Sequence, residues 1–292
     1  MRGPDASDEA PLATSAAPRS HALMSDGLGY RGITAATELV VLLGDPVGHS
    51  LSPVIHNAAF AEQALDLVYL AHAVASGALP HAIDGLWALG ARGANVTIPH
   101  KRAVLGLASE ATETARTLGA ANTLRRGDDG WVADNTDVEG FLDPLRIHRQ
   151  RVSGHPVAVL GAGGAARAVV YAVLRDQSPA HVTVLARRPD QADQLAVDLG
   201  AHGDVRVAAM DDREAVRSAA LIVNATPVGM DGNATPLAGL SMLHDRHVVY
   251  DLIYRPAQTP LLKAAESRGA ETINGLPMLL GHFRRWPGFC AR

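Results

Sequence analysis

The run Gly161-Ala162-Gly163-Gly164-Ala165-Ala166 follows the apolar stretch Pro156–Leu160 and opens a helical pattern over Ala165–Arg175. Glycines at such a junction let the backbone turn tightly and approach a pyrophosphate, which then sits at the positive end of the helix dipole. A tight turn without a ligand would need the glycines alone. Here the flanking strand and helix are both present, and the next strand, His181–Ala186, completes a βαβ unit, the context a dinucleotide site requires. An NAD site is expected to carry Asp or Glu at the end of that strand, to accept from the ribose 2′-hydroxyl. This chain has Arg187 and Arg188 just beyond Ala186. Planar guanidinium donors suit a 2′-phosphate, so NADP is expected in preference to NAD, the alternative being a solvated basic loop.

Three polar clusters occupy the first half. They are Gly44 through Pro53, which contains Ser50 and Ser52; Gly93 through Lys101, which contains Asn95 and Thr97; and Asn122-Thr123 together with Asp134-Asn135-Thr136-Asp137. Each falls at a strand end or a helix start, where open α/β sheets place their ligands. Each also has a plainer explanation: Ser52, Asp134 or Thr136 could cap a helix, and Lys101 could begin one at the surface. Capping explains one serine of the first cluster and not two.

The elements that must hold these residues alternate strand with helix. Strands are expected at Leu39–Gly44, Leu67–Ala71 and Ala94–Thr97, with helices over Pro53–Ala64 and Leu79–Leu89, which gives a parallel-type α/β sheet. The segments Asn122–Arg126 and Trp131–Asp134 flank a Gly127–Gly130 turn signal and read as a hairpin at the edge of that domain. A helix over Val138–Ile147 leads through a polar stretch into the second unit, whose further strands are expected at Val205–Ala208, Leu221–Asn224, Val248–Leu252 and Glu271–Ile273.

The segment Met1–Thr37 has neither strand nor helix periodicity and is expected to be a disordered tail. The length of 292 residues suits two domains. A formal charge of −4 leaves no electrostatic footprint for nucleic acid or an anionic membrane, and no run is apolar enough to span one. A small molecule is the expected partner. The single Cys290 excludes an internal disulfide and any CxxC zinc site, so no metal is expected and a reducing, cytoplasmic setting is. The chain is expected to be a monomer or homodimer.

Taken in order, the clusters resemble the shikimate dehydrogenase family from Glu38 to about Leu280. The resemblance rests on His49-Ser50-Leu51-Ser52-Pro53, Asn95 through Lys101, Gly119-Ala120-Ala121-Asn122-Thr123, Asn135-Thr136-Asp137, the glycine run, Asn224-Ala225-Thr226-Pro227, Asp251-Leu252-Ile253-Tyr254 and Asn274 through Leu279. It implies a substrate domain over residues 38–138 plus 275–292 and a doubly wound Rossmann-type NADP domain over 139–274, with the active site in the cleft between them. The implied reaction is the reversible, NADP-dependent reduction of 3-dehydroshikimate to shikimate. It implies Lys101 as general acid/base with Asp137 its partner, and Ser50, Ser52, Thr97, Asn122, Tyr254 and His282 on the substrate. Gly161, Ala162, Gly163, Gly164, Ala165, Arg187, Arg188, Thr226, Leu252 and Gly275 match positions that contact the cofactor.

Two departures stand out. The family's NADP loop usually reads Asn-Arg-Thr where this chain has Ala186-Arg187-Arg188, and relatives carry glutamine where it has His282. Pro287 and Gly288 limit the last helix to two or three turns, and weaker substrate binding and lower stability are expected from that ending. The alternatives are a dehydrogenase for quinate or an amino analogue of the same ring acid, and a weakly catalytic NADP-binding regulatory module.

Overall fold

The computed structural model describes residues 32–284, apart from residue 238 and the side chains of residues 282–284. Residues 1–31, most of the expected tail, lie outside that range. Within it, Thr34–Thr37 form a turn, and the Thr37 hydroxyl donates to Asp66 at 2.7 Å, so ordered chain begins ahead of the first strand.

The first sheet contains β1 (Glu38–Gly44), β2 (Leu67–Ala73), β3 (Gly93–Val96), β4 (Glu110–Ala111), β5 (Thr123–Arg126) and β6 (Trp131–Asp134), in the order β2-β1-β3-β5-β6-β4. Its helices are α1 (Ser52–Glu62), α2 (Leu79–Ala88) and α3 (Glu113–Leu118). β1 pairs in parallel with β2 and β3, whereas β5 runs antiparallel to both β3 and β6. The sheet is therefore mixed rather than parallel throughout. The expected hairpin forms, but β4 adds in parallel beyond β6 and takes the edge position. Apolar residues of alternating strand positions, among them Val41, Leu43, Ala94, Leu124 and Trp131, pack with Leu79 and Ile83 of α2 into one core. Burying each large side chain contributes about 1.5–3 kcal/mol, which anchors strands that would otherwise be too short to persist.

Helix α4 (Asp137–Leu145) leaves the first sheet, and a 3-10 turn at Arg146–His148 with the short α5 (Arg149–Val152) replaces the expected irregular polar stretch. The second sheet consists of β7 (Pro156–Leu160), β8 (His181–Ala186), β9 (Val205–Ala209), β10 (Leu221–Asn224), β11 (Val248–Asp251) and β12 (Glu271–Ile273), all parallel. Around it lie α6 (Gly164–Asp176), α7 (Pro189–Leu199), α8 (Arg213–Ser218), α9 (Pro260–Glu266) and α10 (Leu276–Arg284). The order β12-β11-β10-β7-β8-β9 is that of a doubly wound dinucleotide fold, with its switch point between β7 and β10. Phe141 and Leu142 of α4 and Met278 of α10 share a core with Val157, Val169 and Tyr250, so these two helices join the sheets. They cross closely because Gly281 faces Gly140: a Cβ at 281 would lie 2.7 Å from the Gly140 Cα. The nine residues of α10 amount to about two and a half turns.

Candidate active site

Topology brings the three polar clusters together. β1 and β3 are parallel neighbours, with Leu43 opposite Val96, so the loops after them emerge at one edge. β5 runs the other way, with Asn95 opposite Thr123, so its beginning lies at the edge where β3 ends. The hairpin register then sets Thr123 opposite Asp134, which delivers Asn135, Thr136 and Asp137 to the same edge.

Lys101 Nζ donates to Asp137 Oδ2 at 2.6 Å; the lysine side chain is 14% exposed and the aspartate 1%. The ammonium thus reaches open space while its partner is sealed in. The second aspartate oxygen, Oδ1, accepts from Asn122 Nδ2 at 2.9 Å, and the Asp137 backbone N–H donates to Asn135 Oδ1 at 3.1 Å. Asn122 Oδ1 in turn accepts from the Thr136 N–H and the Thr123 hydroxyl, at 2.9 and 3.0 Å. A buried carboxylate held by the Lys101 and Asn122 donors keeps one position, and removing either costs it a hydrogen bond in a desolvated setting.

The plainer explanation of two residues fails here. Ser52 is the first residue of α1, and Leu51 is its N-cap with no side-chain capping bond. The Ser52 hydroxyl instead accepts from Ser50 Oγ at 3.2 Å. Thr136 does hold the N-cap position of α4, but its hydroxyl donates to Asn122 Oδ1 at 3.2 Å rather than to the helix. Both hydroxyls serve the cluster.

Asn95, of the second polar cluster but given no site role, and Tyr69, outside the sequence-based set, complete the network. The buried Tyr69 hydroxyl donates to Asn95 Oδ1 at 2.8 Å and also meets Ser52, while Asn95 Nδ2 donates to Thr123 Oγ1 at 3.2 Å. A bonded path therefore runs from Ser50 through Tyr69 and Asn95 to Lys101. Burial raises the Tyr69 hydroxyl well above its ordinary range, and Tyr254, from the loop after β11, lies near enough to add to that effect. Asn95 could have been picked out as the one polar residue in Gly93-Ala94-Asn95-Val96; Tyr69, in an apolar strand, carried no such mark.

The second sheet meets this edge with the carboxyl ends of its strands. Gly161 has φ +107°, and a Cβ there would lie 3.0 Å from Thr226 Cγ2. A Cβ at 275 would collide with the Leu252 carbonyl. Only glycine fits either position, and between them the backbone of residues 161–165, Thr226, Leu252 and Gly275 forms a shallow cradle. Gly163 caps α6 with extended backbone and no side-chain cap, and the N–H groups of a helix's first turn are suited to an anion. Arg187 and Arg188 are exposed just past β8. Neither guanidinium forms an ion pair with a carboxylate of the described residues. This donor set fits a dinucleotide with a phosphate beyond its ribose.

Lys101 meets the cradle directly. A Cβ at Gly164 would stand 3.5 Å from both Cβ and Cδ of the lysine. Behind this contact, Asn224 and Asp251 brace the two nearby loops: Asn224 Nδ2 donates to Asp251 Oδ1 at 2.9 Å, and Asn224 Oδ1 accepts from the Thr226 N–H at 3.0 Å. Burial pushes the Asp251 carboxyl up to about 6, opposed by hydrogen bonds from Thr259, the Ile253 N–H and Asn224. His282 lies in α10, but its side chain is outside the described residues.

An ammonium paired with a buried carboxylate and set against the glycine turn of a doubly wound sheet fits a nicotinamide-dependent oxidoreductase acting on a carbonyl or hydroxyl group. Comparison with known proteins narrows this. The model of the shikimate dehydrogenase substrate binding domain matches residues 42–124, and that of the coenzyme F420-dependent NADP oxidoreductases matches residues 156–251. The NADP(+) shikimate dehydrogenase of Salinibacter ruber is 47% identical over 87% of this chain and 93% of its own. The Thermus thermophilus shikimate 5-dehydrogenase, solved with NADP(H) and shikimate, superimposes with a TM-score of 0.76 at 35% identity, covering 86% of this chain and 94% of that one. The Corynebacterium glutamicum quinate dehydrogenase, solved with NAD, does so with a TM-score of 0.78 at 31% identity, covering 86% and 94%. The chain belongs to the shikimate dehydrogenase family. It is an NADP-dependent oxidoreductase.

Proposed function

We propose that the protein catalyses the reversible, NADP-dependent reduction of 3-dehydroshikimate to shikimate. The observation that carries this reading is the Lys101–Asp137 pair resting against Gly164, which sets a proton donor beside the dinucleotide cradle. The dinucleotide supplies or accepts the hydride. Hydride addition to the ring ketone leaves an alkoxide, and Lys101 Nζ donates the proton that makes it a hydroxyl; in the oxidative direction it takes that proton back. The same ammonium stabilises the oxygen's developing charge, and Asp137 fixes its position. Ser50 and Ser52 bind the substrate carboxylate, Thr97, Asn122 and Tyr254 its hydroxyls, and His282 stands where relatives carry glutamine. Gly161, Ala162, Gly163, Gly164, Ala165, Thr226, Leu252 and Gly275 form the dinucleotide cradle, and Arg187 and Arg188 hold the 2′-phosphate.

On this reading residues 38–138 with 275–292 form the substrate domain and 139–274 the NADP domain. Among the described residues no helix is long and apolar enough to cross a membrane. The proposed setting is the cytoplasm, and the proposed working form a monomer or homodimer. Oxidation of quinate is the second reading, favoured by the likeness to a quinate dehydrogenase. The test is NADP⁺ reduction with shikimate, quinate and their amino analogues. The highest kcat/KM is expected for shikimate; a preference for quinate would select the second reading, and no turnover with any of them would leave a binding module.

A further inference from the structure

Arg167 is a buried cation that the proton-transfer chemistry does not use. It lies in the first turn of α6, the helix that begins at the dinucleotide cradle, and is 6% exposed. Its Nε donates to the Leu118 carbonyl at 2.7 Å, and its Nη2 donates to Asp198 Oδ2 of α7 at 2.6 Å. Leu118 belongs to the first sheet's unit, where it ends α3; Asp198 belongs to the second's. The two arms of one guanidinium therefore join the units at a point where a buried charge must keep both partners.

The junction matters because of the segment just beyond Leu118. Gly119 ends α3 in the left-handed conformation, and the next three residues touch both members of the dyad. The Ala121 N–H donates to the Lys101 carbonyl at 2.7 Å, the Ala120 carbonyl accepts from Asn135 Nδ2 at 2.9 Å, and Asn122 holds Asp137. Arg167 grips the head of this segment from the first turn of the cradle helix, whose opening residue, Gly164, lies against Lys101. Arg102, next to Lys101 in the chain, adds to the positive field at Asp198, and the Arg167 hydrogen bond is the chief cause that holds the Asp198 carboxyl below its ordinary range.

We propose that Arg167 is a positioning residue that ties the dinucleotide-binding turn to the Lys101–Asp137 dyad, so that cofactor and ring acid bind with positive coupling and proton and hydride delivery stay in register. This role rests on the proposed assignment of the ring acid to the dyad and the dinucleotide to the cradle. Without the tie, α4 and α10 still join the units and each keeps its own binding groups, but the segment after α3 is free to shift against the cradle helix. A displacement of this kind lowers turnover more than either binary affinity, because the reacting atoms must align to a fraction of an ångström.

The experiment uses the full chain and calorimetric titration of shikimate, and separately of quinate, with and without saturating NADPH; the reduced cofactor with the reduced acid forms a complex that cannot react. The wild type should bind the acid at least about 5-fold tighter when NADPH is present, a normal size for coupling between sites. In Arg167→Gln the ratio should fall toward one while each binary Kd moves less than about 3-fold, and kcat should fall roughly 10- to 100-fold. A wild-type ratio of one, or a folded Arg167→Gln with unchanged ratio and kcat, overturns the proposal. If Arg167→Gln does not fold, Arg167→Lys decides: its single ammonium cannot span both partners, so the ratio should drop part of the way, and an unchanged ratio and kcat would be fatal. Quinate binding without shikimate binding would strike the substrate reading and still report the coupling.

Discussion

At the edge of the first sheet the side chains of Asn95, Asn122, Thr123, Thr136 and Asp137 are bonded to one another, and the backbone of neighbouring loops satisfies what remains. At the edge of the second sheet the important surface is backbone, and the charged side chains beyond it, Arg187 and Arg188, stand open. The first edge commits most of its polar groups to one another before any ligand arrives, so the lysine, a few hydroxyls and the second amide hydrogen of Asn122 remain to act. The second leaves its guanidinium groups without a carboxylate partner among the described residues. On the proposed function, chemistry that must place a proton accurately is built on a closed network, and recognition of a large anion on an open one.

The difference can be attacked from either side. The largest effect is expected at the closed edge: Lys101→Ala should lower kcat by about 10²–10⁴-fold while NADP binding, followed by fluorescence titration, is retained. Near-normal turnover would take lysine out of the mechanism. At the open edge, replacing Arg187 and Arg188 together by glutamine should raise KM for NADP roughly 10- to 100-fold and scarcely move KM for NAD. Equal losses for the two cofactors would make these arginines structural.

Smaller changes test how firmly the closed edge is assembled. Asn122→Ala removes the hydrogen bonds to Asp137 Oδ1 and from the Thr136 N–H, and a loss of about 1–3 kcal/mol in denaturant unfolding is expected. Stability equal to the wild type would mean that the network is loose. The smallest effect concerns Asp251, behind the open edge. Its folded pKa of about 6 lies above the roughly 3.9 of an unfolded aspartate, so the folded state holds the proton more tightly. The group's stabilising contribution is therefore full below about pH 4 and lost as pH rises through about 6, at up to about 1.4 kcal/mol per unit. Asp251→Asn should gain on the wild type across that interval, and parallel pH profiles would remove Asp251 as the cause.

The sequence disclosed the second sheet well, because its strands are fully buried apolar runs and its ligand turn is spelled out by glycine. The polar clusters were legible as residues that a strand end does not otherwise need. Other features escaped for physical reasons. β4 has two residues and no periodicity to detect, and it takes its place only by pairing with β6. The role of Tyr69 on β2 depends on Asn95, two strands away on β3, and on Ser52 at the start of α1, which are distant in sequence and meet only in the folded sheet. Arg167 sits within a helix where an arginine is normally a solvated surface residue, and nothing local reveals that α3 will pack over it.

The reversed direction of β5 also has a bearing on how the chain can be altered. Because β5 starts at the catalytic edge and β6 returns to it, the turn joining them is carried to the opposite margin of the sheet, four residues or about 13 Å away. Asp128 and Asp129 lie in that turn, away from the catalytic edge. Its tip is a natural splice point, where a reporter peptide, an affinity handle or a whole guest domain could be grafted into the middle of the sequence.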